Sequence, residues 1–569
     1  MYHSKKEQKM KNKSIKYLIC LVAIATFGCT RLNEQVLDES SVTGLTDKQL
    51  AEGLIAPVYN VLPDIFLHTR YFTLQEISTD EAILPYRGGT DWGDNGIYLS
   101  MHRHETVSTD PNVQGTWTSI VTGLSRSVTA ISALKTNKDA SAPLFLAEAR
   151  GMRAYYSLLT LDLFGIVFIK EDPNSTSKVV RGDEAIKYIE SELLAIEPVL
   201  DNTTGPGRIT KAAVWGLLAR LYLNAAVYRD RYAASFSFQS DEMNKVIDYC
   251  NKIIATNQYT LTPEYFSIFS NNNHTNKEII FAVDQRPDLS NSHNRMAYFS
   301  LSGDMFPLPA FPAANGTDGP AITPDFYQTW VDANTPTDPA AADPRFYKEN
   351  LPQTDGCVDA ASFNINRGIL RGQQYGLTKD ASGAFIKCPD GKLQISMLYN
   401  TTRSKPTLPV DFTEQVDFTT AGSNYSTGYR VEKYEFSKSS NTGRNKGEAD
   451  IVILRLADIY LMRAEAKLRG SNDAAGALAD VNTVRAARTA TTPAAALTSM
   501  TGDLLFRERG FEFYWEMVRR TDMIRFGKYE GSWTEKSNSD VKKRLFPIPQ
   551  NAIDAASNLT GYLKQNDGY

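Results

Sequence analysis

Apolar side chains recur with helical spacing at both ends of this chain of 569 residues, and this pattern most constrains its fold. Residues 46–49 (TDKQ) form a capping box, in which Thr and Gln side chains satisfy backbone donors at a helix start. The next residues place Leu50, Leu54, Val58 and Val61 on one helix face. The sequence therefore predicts a mostly α-helical frame made of residues 46–258 and 448–569.

Small and aromatic residues are interspersed in the predicted helices, as in residues 148–165 (EARGMRAYYSLLTLDLFG), 211–226 and 456–470. A small residue lets a neighbouring helix approach, and an aromatic ring fills the adjacent gap. These segments are similar to tetratricopeptide helices, although their spacing is too irregular for a tandem array. We expect a tetratricopeptide-like helical scaffold.

Residues 259–447 are instead rich in Pro, Gly, Asn, Asp and aromatic residues. This stretch also contains short strand-like runs, such as residues 278–283 and 428–436. A stretch of this length with little periodicity is uncommon in a compact domain and is usually functional. The sequence predicts a long loop-rich insert that carries short strands.

The N-terminus predicts export. Lys11, Lys13 and Lys16 form a basic segment, and the apolar run of residues 17–27 is too short to cross a bilayer but has the length of a signal-peptide core. Gly28 before Cys29 resembles the box at which bacterial lipoproteins are cleaved and lipidated, although Thr26 stands where Leu is usual. An ordinary signal peptide that ends near a cysteine is the alternative.

These features divide the chain into a signal segment (1–28), a tether lipidated at Cys29 (29–45) and one domain (46–569). Cys250 lies on an apolar helical stripe and is predicted to be a buried thiol. Cys357 and Cys388 lie in turn-rich sequence of an exported protein, where they either form a disulfide or remain free. No later run reaches the roughly 18 apolar residues of a membrane-spanning helix.

The charge of the chain argues against a nucleic-acid partner. Lys and Arg total 61 against 65 Asp and Glu, and the isoelectric point is about 6.0, whereas nucleic-acid binders are usually basic. Aromatic residues make up 11% of the chain, which leaves material for stacking surfaces.

Residues 86–98 are the first candidate binding site. Four glycines in this loop allow tight turns and expose the side chains between them, which are Arg87, Trp92, Asp94, Asn95 and Tyr98. An oligosaccharide offers C–H faces that stack on aromatic rings and hydroxyls that pair with Asn, Asp and Arg. The alternative is that Trp92 packs the loop onto the frame.

Several segments carry a family resemblance, namely the lipoprotein-like start and residues 78–104, 150–165, 457–466 (ADIYLMRAEA), 507–529 (RERGFEFYWEMVRRTDMIRFGKY) and 545–569. Together they resemble the SusD/RagB family of outer-membrane nutrient-binding lipoproteins. The resemblance implies a mostly helical fold with tetratricopeptide-like units and capture of glycans or peptides at the cell surface. It also implies partnership with a TonB-dependent barrel of the SusC type, over which the lipoprotein sits as a lid. Trp92 and Asn95 match the family pairing of a stacking Trp with an amide that holds sugar hydroxyls.

A second candidate surface lies in residues 298–330, where prolines separate aromatic residues and would hold a preformed platform. Tyr298, Phe306 and Phe311 are its candidate ligand contacts. Core packing is the expected role of Phe326 and Tyr327.

The remaining chemistry-bearing patterns favour structural roles. Glu508, Glu512 and Glu516 share a predicted helix face, but the arginines among them keep carboxylates ionised and predict a salt-bridged helix instead of a glycosidase pair. His102 and His104 lack a third metal ligand at a recognisable spacing. We expect no metal and no cofactor, although scattered Asp-rich loops leave structural calcium open.

The sequence therefore favours a non-catalytic glycan-binding lipoprotein, and the family resemblance implies that it lies on the outer membrane and faces the exterior. The same scaffold binding peptides is the second hypothesis, and a surface glycoside hydrolase is the third.

Overall fold

Helices dominate both ends of the structure, and short strands are concentrated between them. The computed structural model describes residues 45–87, 95–286, 294–306, 314, 316–419, 422–438 and 447–569. Asp47–Tyr569 forms one compact unit. The predicted signal segment and the tether lie almost entirely outside the described residues, so both stay predictions.

The helices follow the predicted periodicity. They are α1 (Asp47–Tyr59), α2 (Leu62–Ile65), a π-type segment (His68–Ile77), α3 (Ile97–His102), α4 (Pro111–Leu134), α5 (Ala142–Phe164), α6 (Gly182–Ile196), α7 (Lys211–Leu223), α8 (Ala225–Arg229), α9 (Ser240–Ala255), α10 (Met296–Ser300), α11 (Pro324–Asn334), α12 (Pro339–Ala342), α13 (Leu456–Ser471), α14 (Ala474–Ala486), α15 (Gly502–Phe513), α16 (Arg519–Arg525) and α17 (Gln550–Ala555). Among the described helices, none alone is long and apolar enough to cross a membrane. The bent pair Asp47–Ile65 and His68–Ile77 passes that test only when taken together.

Local sequence explains the bounds and the packing of the longest helices. Asp110 caps α4 by accepting hydrogen bonds from the backbone of Asn112 and Val113, at 2.8 and 2.9 Å. Helix α5 ends at Gly165, whose φ of 70° suits a glycine. A Cβ at Gly123 of α4 would lie 2.7 Å from the Tyr156 ring of α5, so a small residue is required where these helices meet.

The strands are short and form seven small sheets in the described residues. They are β1 (Ala82–Ile83), β2 (Val167–Ile169), β3 (Lys178–Val180), β4 (Ile279–Val283), β5 (Ala321–Ile322), β6 (Tyr347–Lys348), β7 (Gly356–Val358), β8 (Arg367–Leu370), β9 (Gly372–Gln373), β10 (Tyr375–Leu377), β11 (Leu393–Met397), β12 (Tyr399–Asn400), β13 (Lys405–Pro409), β14 (Asp411–Phe412), β15 (Arg430–Glu432) and β16 (Ile451–Arg455). The buried antiparallel pair β4–β16 joins the start of the insert to the strand that leads into α13. The fold-class prediction of a helical scaffold with a loop-rich, strand-bearing insert is confirmed.

The insert has a small hydrophobic core of its own, to which Leu301, Phe306, Phe363 and Phe412 contribute. Cys357 in β7 forms a disulfide with Cys388, which closes the edge of the β10–β11–β7 sheet. The structure thus resolves the open alternative in favour of the bridge. Cys250 is a free, buried thiol, as the sequence predicts.

A buried ion network joins the insert to the C-terminal helices. We call it the Glu512 network. Its carboxylates are Asp343, Glu278, Glu508, Glu512 and Glu516, and its buried cations are Arg345, Arg455, Arg485, Arg488 and Lys433. Glu512 is the centre of this network, since its carboxylate lies 2.6 Å from Arg455, 2.5 Å from Arg488 and 3.2 Å from Arg345.

The charge balance of this network explains why full burial is tolerated. Burial by itself would raise the pKa of Glu512, but Arg488, Arg455 and Arg345 outweigh it and hold the pKa well below the usual range. The prediction that arginines keep these carboxylates ionised is confirmed for Glu512. One detail of that prediction is wrong, because α15 ends at Phe513 and Glu516 lies beyond it. Glu516 instead reaches Arg455 and Lys433, at 2.8 and 2.6 Å.

Two acidic side chains from the N-terminal part of the chain also bind the segment around Glu516. Glu76 and Glu81 accept hydrogen bonds from the backbone N–H groups of Met517 and Trp515, which both have positive φ angles near 60°. Both carboxyl groups are fully buried. Burial and the neighbouring Glu81 raise the pKa of Glu76 well above its usual value, and burial raises the pKa of Glu81 to about 7. Burial therefore favours the protonated, uncharged form of both carboxyl groups.

We expect Glu512→Gln to lower the free energy of unfolding by about 3–5 kcal/mol, because it leaves buried guanidinium groups uncompensated. Glu184→Gln is the control, since it removes a solvent-exposed ion pair with Lys178 and has an expected cost below about 1 kcal/mol. Urea unfolding measures both. Equal losses for the two variants would contradict a central role for Glu512.

The Glu76–Glu81 pair predicts a pH dependence of stability. Because the pKa of Glu81 is raised from 4.5 to about 7 on folding, its contribution is complete below about pH 4.5 and declines as the pH rises toward 7. Glu81→Gln removes this titration, so the variant should gain stability relative to the natural chain between pH 5 and 8, by on the order of 3 kcal/mol. Urea unfolding across this range tests it, and a difference that does not change with pH would contradict the assignment.

Candidate functional site

The structure describes both ends of the predicted binding loop. Arg87 precedes residues 88–94 and Asn95 follows them, while Trp92 and Asp94 lie outside the described residues, as does Phe311 of the second candidate surface. The predictions for these three residues therefore stay predictions.

Asn95 lies at the surface, next to the start of α3. Its φ is 59° and that of Gly96 is 80°, a left-handed pair that Asn and Gly adopt at low cost. Asn95 is exposed. The role of Asn95 in holding sugar hydroxyls stays a prediction, and its exposure leaves the amide accessible to a ligand.

Arg87 is buried, whereas the sequence predicts an exposed side chain that contacts the ligand. Its side chain is 1% exposed, and its guanidinium donates to the backbone carbonyl oxygens of Asp318 (2.9 Å), Gly319 (2.8 Å), Asn424 (3.4 Å) and Thr427. A buried guanidinium that satisfies carbonyls so far away in sequence has a structural role. We correct the prediction accordingly: Arg87 anchors the base of the loop, and its burial removes it from direct ligand contact.

Asp318 contacts two arginines, Arg87 through its backbone carbonyl and Arg403 through its carboxylate. We call this group the Asp318 hub, formed by Arg87, Asp318, Arg403 and Arg430. The Arg403 Nε donates to the Asp318 carboxylate at 2.8 Å. Arg430 donates to the carbonyl oxygens of Thr427 and Tyr425, at 2.7 and 3.0 Å. The hub joins Arg87, at the start of the loop, to three stretches of the insert.

Burial dominates the electrostatics of the hub. Burial raises the pKa of Asp318, lowers that of Arg430 to about 10, and lowers that of Arg87 well below its usual value, with Arg430 adding to the effect on Arg87. Arg403 is the most accessible member, since 31% of its side chain is exposed. Its guanidinium lies 5.1 Å from the centre of the half-buried Tyr425 ring. The accessible side of the hub therefore presents a hydrogen-bond donor beside an aromatic ring.

Three other predicted contacts are buried. Tyr98 packs near Phe299, with ring centres 6.1 Å apart, Tyr298 lies 6.5 Å from His68, and Phe306 lies 5.8 Å from Phe436. All three side chains are less than one-tenth exposed. We correct these predictions too: Tyr98 belongs to the main hydrophobic core, and Tyr298 and Phe306 belong to the core of the insert, which needs apolar packing of its own.

Asn424, Tyr425 and Arg403 are accessible residues that sequence reasoning missed. Asn424 is exposed, and Tyr425 and Arg403 are half-buried. The tract SNYSTGYR (423–430) combines turn formers with two tyrosines, which is the same kind of signal that marked residues 86–98. Only the fold brings this tract beside Arg87.

His102 and His104 are satisfied core residues. The His102 Nδ1 lies 3.0 Å from the Ile77 oxygen, and the His104 Nε2 lies 2.8 Å from the Ser78 oxygen. Burial lowers the pKa of both rings. Their ring nitrogens pair with the backbone carbonyl oxygens of Ile77 and Ser78. These contacts hold the end of α3 and the residues after it against the end of the π-type segment.

The comparisons with known proteins agree with this architecture. A model of the SusD family matches residues 239–569, which is more than half of the chain. The chain belongs to the SusD family. The sequence-based family prediction is thereby confirmed.

Relatives of this SusD-family chain include starch-binding protein SusD from Bacteroides thetaiotaomicron, which is 28% identical over 449 residues that cover 74% of this chain and 72% of SusD. A SusD-like protein from Bacteroides ovatus is 23% identical over 257 residues, or 43% and 44% of the two chains.

Two solved structures share the fold. Surface glycan-binding protein A from Bacteroides thetaiotaomicron, in complex with laminarihexaose, has a TM-score of 0.61 at 20% identity and covers 92% of this chain and 100% of its own. A SusD superfamily protein from Parabacteroides distasonis has a TM-score of 0.65 at 19% identity, with the same coverage.

Glu508, Glu512 and Glu516 of this SusD-family chain do not form a glycosidase pair. Glu508 is bound by Arg345 and Arg485, and Glu512 and Glu516 belong to the same buried network. A general acid needs a raised pKa and access to substrate, whereas Glu512 is fully buried and has a lowered pKa. These carboxylates hold the fold together.

Proposed function

We propose that this chain is a non-catalytic cell-surface lipoprotein that captures oligosaccharides and passes them to a TonB-dependent outer-membrane transporter of the SusC type. Membership of the SusD family carries the proposal. The starch-binding relative and the fold shared with a laminarihexaose complex support an oligosaccharide as the ligand.

The binding surface consists of the loop 86–98 and the accessible side of the Asp318 hub. Trp92 supplies a ring that stacks on a sugar face, and the Asn95 amide and Asp94 carboxylate hold hydroxyls. Arg403 and Tyr425 add a donor and a second ring. The four carbonyl bonds of Arg87 support this arrangement by fixing the start of the loop.

The hub has one carboxyl group, which is consistent with a protein that binds a glycan without cleaving it. Retaining glycosidases place two carboxyl groups about 5–5.5 Å apart around the bond they cleave. Among the described residues of the hub, Asp318 is the one carboxylate, and it is ion-paired to Arg403. The proposal is binding and release in place of catalysis, without a cofactor.

The anchor and the partner complete the proposal. After cleavage before Cys29, a lipid on this cysteine would hold the chain at the outer membrane, facing the exterior. Residues 30–45 would act as a tether. Modest affinity suits this role, since the ligand must be released into the transporter.

Isothermal titration of the chain without its first 29 residues, which keeps every described residue, tests capture. The panel contains maltooligosaccharides, laminari-oligosaccharides and short peptides. We expect saturable heat with one glycan class, a loss of about ten-fold or more for Trp92→Ala and about five-fold for Asn95→Ala. Leu559→Ala, an exposed apolar truncation, is the control.

Three results would contradict the proposal. Heat with peptides alone would make the chain a peptide-capture protein, and product formation would make it a hydrolase. If Trp92→Ala lowers thermal stability strongly and leaves glycan affinity unchanged, Trp92 packs the loop and the binding surface lies elsewhere.

A further inference from the structure

An exposed apolar surface lies on the insert, outside the loop and the hub. Met397 and Tyr399 are 37% and 38% exposed, which makes them two of the few large apolar side chains at the surface of the described structure. They are two residues apart on one extended run, so their side chains project from the same face. Strand register places Tyr375 opposite Met397 and Pro409 opposite Tyr399.

The alternating residues explain why this face points outward. Leu398 and Asn400 are buried, and the Asn400 amide donates to the Ser426 hydroxyl at 2.8 Å and to the Pro409 carbonyl at 3.1 Å. These contacts hold the strand against the insert core. Met397 and Tyr399 must then face solvent, and Tyr375 and Pro409 stay half-buried at their sides.

The surroundings of Tyr399 differ from those of buried tyrosines such as Tyr222 and Tyr327, which are 3% and 9% exposed. The Tyr222 hydroxyl donates to Glu190 at 2.5 Å, and the Tyr327 hydroxyl accepts from Arg371 at 3.1 Å. Within the part of the chain that the structure describes, the Tyr399 ring and hydroxyl have no partner. An exposed ring with a free hydroxyl offers both a stacking face and a hydrogen bond.

The strand that carries Tyr399 leads directly into the hub. The turn Thr401–Arg403 follows it, and Thr402 donates to Asp304 at 2.7 Å before Arg403 reaches Asp318. Tyr399 and Arg403 are four positions apart in the chain, so their Cα atoms lie at most about 14 Å apart. An extended ligand at the hub can therefore continue onto this face. The exposed Lys405 and Thr407 of β13 add hydrogen-bonding groups beside it.

We propose that Met397 and Tyr399, flanked by Tyr375 and Pro409, form a second contact surface for long oligosaccharides whose other end occupies the loop and hub. The ligand chemistry is a run of sugar C–H faces with hydroxyls at their edges. This inference rests on the proposed function, and it adds a dependence on chain length that the loop alone does not give.

The test compares short and long ligands. Maltotriose and maltoheptaose, and in parallel laminaribiose and laminarihexaose, are titrated against the natural chain, Tyr399→Ala, Tyr399→Phe and the control Leu559→Ala. We expect Tyr399→Ala to weaken the long ligand about three- to ten-fold and leave the short one unchanged. Tyr399→Phe keeps the ring and should retain most of the affinity.

A direct readout accompanies the titration. Hydroxyl-radical labelling of Met397, followed by mass spectrometry, should fall when the long ligand is saturating and stay unchanged with the short one. Because both side chains are exposed, the variants should unfold at the same temperature as the natural chain.

The possible outcomes separate the two claims. If the natural chain binds no ligand of either series, glucan capture fails, and the second surface fails with it. If the natural chain binds but Tyr399→Ala leaves the long ligand unaffected, or weakens both lengths equally, the second surface is wrong and capture stands.

Discussion

The rest of the structure depends on how one buried carboxylate, that of Glu512, is neutralised. Three guanidinium groups surround it, and two of them also bind Glu278 of the insert. A buried charge that loses its partner is costly, so these segments dock correctly only when all the charges are paired. Next to it, Glu516 is held by Arg455 and Lys433, and the flanking amides are held by Glu76 and Glu81. The N-terminal helices, the insert and the C-terminal helices therefore meet at residues 512–517.

The Asp318 hub uses charged groups in a different way. In the Glu512 network, side chains pair with side chains, whereas Arg87 and Arg430 mainly satisfy backbone carbonyls of loops. Such bonds give shape to segments that have no regular secondary structure. Because these carbonyl bonds fix the loops of the hub, its accessible side, with Arg403 and Tyr425, is a fixed surface close to Arg87, where the binding loop begins. A preformed surface loses little entropy when a ligand binds.

The helical frame could be predicted from sequence, because periodicity and caps are local signals. The capping box at Thr46 and the apolar stripes gave the fold class, and the strand-like run of residues 278–283 contains β4. Burial of the site residues could not be predicted in this way. Glycine and proline around Arg87 and Phe306 indicate turns, but they do not say whether a side chain points out or in. The carbonyl partners of Arg87 lie 231 to 340 residues away in sequence, beyond any local pattern.

Hydrogen–deuterium exchange with and without saturating oligosaccharide tests the central claim most directly, namely that ligand is captured where the loop meets the Asp318 hub. The account predicts slower exchange in peptides that cover residues 86–98 and 423–428, with the tetratricopeptide-like helices unchanged. Protection confined to those helices, or none in either peptide despite measurable binding heat, would contradict it.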